Sequence, residues 1–252
     1  MQKKKSAEKL YLYLGALFIT SLVVSNLIFQ KFIFIDFFGI EIFGKKLFEL
    51  SVGILPYPIT FLVTDIISEI YGRKRANQIV IAGIFASLFS IIIISVADIL
   101  PAIDYYKNPL ENSPISNDTF NNVFSKSLIA VSSSMATYLI AQFVDIKIYH
   151  FWKKLTKGKM LWLRNNFSTF FSQILDTFTI IFLLCYFEVI AWDKFSVLFI
   201  SGVLFKIIVA LIDTPLLYFG VYLFRKKFNL KINEELKSVS YTHLRAHETL
   251  PY

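Results

Sequence analysis

Six stretches of this chain are long and apolar enough to lie across a lipid bilayer, and no other feature restricts the fold as much. A helix crossing a hydrocarbon core of about 30 Å needs about 20 predominantly apolar residues. Leu10–Phe29 is one such run, and Ile54–Ile70 is a shorter one that begins at the Pro56-Tyr57-Pro58 break. Ile79–Leu100, Leu128–Ile148 and Phe167–Phe187 follow, and Phe195–Phe224 is long enough to tilt or to kink at Pro215. The composition agrees, with 56% hydrophobic and 17% charged residues, where a soluble domain has about 45–50% and about 25%. Disorder is excluded by that apolar content, and a disulfide framework by the single cysteine, Cys185. The lysines before the first run resemble the start of a signal peptide, but five further spans and no small-residue cleavage pattern predict a retained helix. The expected fold is an all-α membrane protein with six transmembrane helices.

The basic residues orient those spans. Lys3, Lys4, Lys5 and Lys9 fall on one side, with Arg73, Lys74 and Arg75. The same side collects the cluster from Lys147 to Arg164 and the cluster from Arg225 to Lys237. Lys31, Lys45, Lys46, Lys107, Lys126 and Lys194 fall on the other. A loop-by-loop excess on alternate sides is the positive-inside pattern, and it predicts that both termini are cytoplasmic. The chain is then expected to cross a membrane several times, with the lipid bilayer as the first partner. The net charge of +8 is a consequence of topology, so no nucleic acid is needed to explain it.

Two connections and the C-terminal stretch need separate treatment. Lys31–Leu50 alternates apolar and polar positions around Gly39, which predicts a short β-hairpin in the outer interface between the first two helices. Pro101–Lys126, rich in Pro, Asn and Ser, reads as an irregular outer loop. Val239–Thr249 (VSYTHLRAHET) reads as the one-frame translation of a common transposase sequencing adapter. Residues 239–252 are therefore set aside, with the His243/His247 pair whose i, i+4 spacing would otherwise invite a metal site. Residues 1–238 form one six-helix domain on this reading.

Polar residues inside the spans carry the functional signal. Asp65 and Glu69 stand at i, i+4 on one helix face; Gln142 and Asp145, and again Gln173 and Asp176, stand at i, i+3. Lys206 and Asp213 are two turns apart on the last span, and Asn26 lies near the outer end of the first. A charge at a helix centre costs about 2.5–3.5 kcal/mol, so five such residues would cost at most about 12–17 kcal/mol facing lipid. Their faces must converge on one another or on a wet cavity. One outcome is a set of ion pairs and amides joining helices, with Lys206 as the base. Acids outnumber that base, however, and a spare carboxylate at membrane depth marks a substrate or proton site.

No enzyme is indicated. Cys185 has no base near it in sequence, His150 has no ligand-spaced partner, and no phosphate-binding, dinucleotide or metal signature occurs. No cofactor or metal is expected. Gly83 and Ser87 form a small-residue step that reads as helix packing.

Three blocks in order resemble the queuosine precursor transporters, also called the vitamin uptake transporter family. The first runs Leu55-Pro56-Tyr57-Pro58-Ile59-Thr60-Phe61 through Thr64-Asp65, Ser68-Glu69 and Tyr71-Gly72-Arg73. The second joins Ala141-Gln142-Phe143-Val144-Asp145 to Trp162-Leu163-Arg164-Asn165-Asn166 and Gln173-Ile174-Leu175-Asp176. The third is Lys206 with Asp213-Thr214-Pro215. What the resemblance implies is uptake of 7-cyano- or 7-aminomethyl-7-deazaguanine by a secondary transporter or facilitator. Such a base presents a ring N–H and an amine that one carboxylate can accept together, a carbonyl that wants a donor, and flat faces that want apolar walls. Asp65, Glu69, Gln142, Asp145, Gln173, Asp176 and Asn26 are then expected around the substrate. Lys206 is expected to pair with an acid, and Asp213 to sit near the helix break at Pro215. Three spans per half are compatible with an inverted repeat, and a homodimer is compatible too. Energisation stays open between proton coupling and downhill flow. The rival reading is a substrate-binding membrane subunit that docks on a separate ATPase module, as in energy-coupling vitamin transporters.

Overall fold

In lipid a backbone must satisfy its own hydrogen bonds, so apolar runs become helices. A computed structural model describes residues 2–29, 31–34, 41–42, 45–46, 49–103, 113–125, 128–232 and 234–236. Its long helices are α1 (Gln2–Ile28), α2 (Tyr57–Ile70) and α3 (Arg73–Ile99), and after the four-residue α4 (Asn117–Phe120) come α5 (Leu128–Leu155), α6 (Leu161–Tyr186) and α7 (Phe195–Phe228). Five stretches are long and apolar enough to cross a membrane: Lys5–Ile28, Val52–Ile70, Arg73–Ile99, Leu161–Tyr186 and Trp192–Phe228. The remaining expected span coincides with α5, a helix of 28 residues that carries Ser133, Thr137, Gln142 and Asp145 and is not among those five.

Helix boundaries follow local chemistry. Pro56-Tyr57-Pro58 opens α2 because proline costs nothing in a first turn, whose N–H groups lack intrahelical partners anyway. Gly72 closes it at φ +82°, and a side chain there would also run into the Glu235 carboxylate. In α7 the helix passes through Pro215 without interruption, so the helix break expected beside Asp213 is absent.

The connection after α1 differs from the expected single hairpin. Four short strands form two antiparallel ladders, β1 (Phe32–Phe34) with β4 (Glu49–Ser51), and β2 (Glu41–Ile42) with β3 (Lys45–Lys46). Phe32–Phe34 thus pairs with Glu49–Ser51 and not with the residues directly after Gly39. The outer ladder is fixed at its base: Val52 N–H donates to the Lys31 carbonyl at 2.7 Å, while the Ser25 and Ser51 hydroxyls donate to the Gly53 and Phe29 carbonyls. The turn at Gly39 and residues 237–252 lie outside the described residues. In the Pro101–Lys126 connection, expected to be irregular, Ser116 accepts the Thr119 N–H and starts α4, which leads into a π-helical turn at Asn121–Ser125. The Asn121 amide donates to Asp98 at 3.3 Å, which keeps that carboxylate at the helix end.

Polarity is arranged opposite to that of a soluble domain. The outer faces expose large apolar groups, among them Phe85, Ile92 and Ile99 of α3, whereas Glu69, Gln142, Asp145, Arg164, Asn165 and Asp176 are buried. The packed side of α3 is marked by Gly83, where an added Cβ would lie 2.6 Å from the Phe18 ring of α1.

One end of the bundle is tied by Glu69. Its side chain is wholly buried and meets Arg164 Nη2 of α6 at 2.7 Å, Lys153 Nζ of α5 at 3.7 Å and Arg225 of α7. The Tyr149 hydroxyl donates to it at 3.0 Å. Lys153 also donates to the Ser68 and Glu69 carbonyls at the C-terminal end of α2, a favoured place for a cation, and to Glu235 at 2.8 Å. Leu236 N–H donates to the Ile70 carbonyl at 2.7 Å, drawing the segment after α7 beneath α2.

Two stability predictions follow from this packing, both measured by thermal unfolding in detergent. Gly83→Leu forces Phe18 aside and costs about 1–3 kcal/mol, while Phe85→Leu on the exposed face leaves the midpoint unchanged. Glu69→Gln keeps the volume but leaves buried cations unpaired, and costs about 3–5 kcal/mol.

Candidate functional site

A cavity of about 380 Å³ lies between α1, α2, α5, α6 and α7, within the range of about 300–1,000 Å³ typical of small-molecule sites. Its walls are mostly apolar, with Phe29, Ile54, Ile180, Ile181, Leu184 and Leu198 contributing. Its rim is formed by the end of α1 (Ser25, Asn26), the outer ladder (Phe32, Leu50, Ser51) and the connection before α7 (Val189, Ile190). The cavity therefore opens at the end of the bundle remote from Glu69.

The polar part of the cavity is built from three helices. Lys206 Nζ of α7 lies 2.5 Å from Asp176 Oδ2 of α6, and the Tyr57 hydroxyl of α2 donates to the same oxygen at 2.6 Å. Both bonds go to Oδ2, and among the described residues no side chain is seen to bond Oδ1, which can accept from a ligand. The Lys206 ammonium also stands 4.5 Å from the centre of the Tyr57 ring, a geometry that favours a cation on an aromatic face. Tyr57 packs edge-on against Tyr138 at 5.5 Å, and the Tyr138 hydroxyl accepts from Gln142 Nε2 at 2.7 Å. Asn26 contributes an amide nitrogen that is buried and has no partner.

A second polar layer lies between the cavity and the Glu69 cluster along α5 and α6. Asp145 is buried; its Oδ1 accepts from the Ser172 hydroxyl at 3.0 Å, and its Oδ2 has no partner. Asp65 is also buried and lies within electrostatic reach of Asp145, Asp213 and Arg164, with no ion pair among the described residues. Asp213 and Gln173 line a small pocket of about 20 Å³ that shares Tyr57 and Lys206 with the main cavity. The carbonyl oxygens of the Gln142 and Gln173 side chains are buried without partners.

The structure therefore sorts the residues singled out in the sequence. Asn26, Asp176 and Lys206 line the main cavity, and Gln142 reaches it through Tyr138. Gln173 and Asp213 line the adjoining pocket, Asp65 and Asp145 lie in the layer behind it, and Glu69 belongs to the ion cluster at the far end. Lys206 pairs with Asp176 rather than with Asp213 on its own helix. Sequence reasoning missed Tyr57 and Tyr138 as polar wall groups and Arg164, Tyr149, Lys153 and Arg225 as partners of Glu69. Tyr57 had a signal, since it stands between two prolines at a helix start; Tyr138 had only its i, i+4 spacing from Gln142. Among the described residues no group of three His, Cys, Asp or Glu is placed to hold a metal ion.

Comparison with known proteins agrees with this architecture. Residues 51–220 match the family described as "Putative vitamin uptake transporter", a stretch that contains α2 to most of α7 and with them Tyr57, Asp176 and Lys206. A relative from Bacillus subtilis (strain 168), named "Probable queuosine precursor transporter", is 28% identical over 171 residues, which cover 67% of this chain and 70% of the relative. No solved structure matches. The match over well more than half of the chain establishes that this protein belongs to the vitamin uptake transporter family, a family of transporters and not of enzymes.

Proposed function

We propose that this chain imports the 7-deazaguanine precursors of queuosine across the cytoplasmic membrane, as a secondary transporter or facilitator. The observation that carries this reading is the Asp176 carboxylate in a mostly apolar cavity, with one oxygen held by Tyr57 and Lys206 and the other without a bond among the described residues. The free oxygen suits the donor edge of a deazaguanine, its neighbour suits the same edge only where Lys206 or Tyr57 yields, and Asn26 supplies a donor for the carbonyl. Phe29, Phe32 and Tyr57 supply surface for the flat faces. The name of the Bacillus relative supports the same substrate class.

The topology proposed with this function has six crossings, α5 being the sixth, and both termini in the cytoplasm. Arg73, Lys153, Lys154, Arg225, Lys226 and Lys227 all belong to the Glu69 end, which the positive-inside pattern places on the cytoplasmic side. The cavity then faces outward, with the Glu69 cluster sealing the inner end. Residues 1–238 are taken as the transporting domain.

Two experiments test these proposals. In a bacterium lacking both precursor synthesis and its own importer, the chain restores queuosine in tRNA when the cyano precursor is supplied. Asp176→Asn lowers uptake by about tenfold to a hundredfold at equal membrane levels, the loss of one hydrogen bond to a charged group. Unchanged uptake by that variant would remove Asp176 from the site. Binding by the purified chain in liposomes without transport assigns it to the ATPase-dependent class instead. For topology, single cysteines in a Cys185→Ser background are treated with a membrane-impermeant maleimide in whole cells. Lys194→Cys is labelled and Lys227→Cys is not; the reverse pattern inverts the proposed orientation.

A further inference from the structure

The described residues of the cavity include two charged side chains, and they cancel. Among its lining residues only Asp176 and Lys206 carry charge, and they meet at 2.5 Å. The pair is held from three helices, because Tyr57 donates to Asp176 Oδ2 at 2.6 Å and places its ring 4.5 Å from the Lys206 ammonium. The surplus acids of the membrane layer are elsewhere: Asp65 and Asp145 are not among the lining residues, and Asp213 borders the smaller pocket. The buried unpartnered polar atoms among the described lining residues are Asn26 Nδ2 and the Thr177 hydroxyl, not a second carboxylate. Among the described lining residues a molecule in this cavity thus meets an acceptor oxygen, a donor nitrogen, a hydroxyl and an ammonium already committed to its partner, with no net negative charge to attract a cation.

We propose that the Asp176–Lys206 pair makes this cavity selective for an uncharged purine-like heterocycle over a counterpart bearing a protonated amine, with Lys206 as the specificity-determining residue. The inference rests on the substrate class given under Proposed function. A primary amine is protonated at neutral pH, so it brings a second cation beside the Lys206 ammonium in a poorly hydrated space where like charges repel strongly. A nitrile carries no charge and meets no such repulsion. Specificity of this kind comes from a repulsive element built against the wrong ligand. Without the ammonium, Asp176 becomes an uncompensated anion and the preference moves toward the cation.

The test is competition for uptake of labelled 7-cyano-7-deazaguanine at pH 7, by the unlabelled cyano compound and by 7-aminomethyl-7-deazaguanine. With the wild-type chain the aminomethyl compound requires about a tenfold or greater excess to compete equally. Lys206→Arg keeps that ratio, and Lys206→Met narrows it severalfold or reverses it. Equal or better competition by the aminomethyl compound in the wild type overturns the selectivity, and does so even where the variants fail to reach the membrane. An unchanged ratio in a membrane-inserted Lys206→Met overturns the role of Lys206. Absence of uptake and of competition by both compounds sinks the substrate reading itself, and this inference with it.

Discussion

Glu69 gathers more of the fold onto one side chain than any other residue described. Between helices in lipid the hydrophobic effect offers little, because a lipid tail is as apolar as a leucine. Packing and polar contacts must then decide which helices adjoin and at what depth. Glu69 accepts from groups on α5, α6 and α7, and Lys153 of α5 binds the backbone at the end of α2. Four helices are thereby fixed at one depth. Because Asp65 stands one turn earlier and Tyr57 three turns earlier on the same helix, that anchoring also determines where the polar middle layer and the cavity floor fall. Arg164 adds a brace, donating to the Gly158 and Lys159 carbonyls at 2.9 and 3.0 Å and so folding the connection between α5 and α6 under the cluster.

The sequence made the helices readable because lipid allows few alternatives to them, and it made α2's start readable because proline tolerates only particular positions. It made the Lys31–Leu50 region readable as strands but not as these pairs. A period-two pattern specifies which face of a strand is apolar, and says little about which strand lies beside it. The true partner of Phe32–Phe34 is set by contacts at the ladder's base, where Ser25, Phe29 and Gly53 come together from separate elements.

The candidate site was legible in its residues and illegible in its division. Asp65 and Glu69 share a helix face, so spacing gives them the same prospects; their fates differ because of cations far along the chain. Lys153 and Arg225 lie 84 and 156 positions from Glu69, and in the sequence both read as charges of cytoplasmic loops. Lys153 is in fact buried, so a residue that contributes to the topological bias is at the same time a structural counter-ion. Tyr57 and Tyr138 were hidden for a different reason. In a chain with 27 Phe and 13 Tyr, one more aromatic residue in a span carries no signal until a hydroxyl is seen to bond a carboxylate.

The three polar layers differ in how fully their charges are matched, and that difference bears on movement. At the cavity one acid faces one base; at the far end one acid faces three bases, with Glu235 as a further acceptor for Lys153. Between them Asp65 and Asp145 have no ion-pair partner among the described residues, and one Asp145 oxygen has no hydrogen bond at all. Under the proposed function a ligand held at Asp176 reaches the cytoplasm only if the Glu69 cluster parts. The helices that would separate, α2 from α6 and α7, are the ones that carry Asp65, Ser172 and Asp213. Parting them removes Arg164 from the Glu69 carboxylate it now neutralises and also from the neighbourhood of Asp65. Opening the inner end is thus the costly step, because separating a buried ion cluster leaves its charges uncompensated.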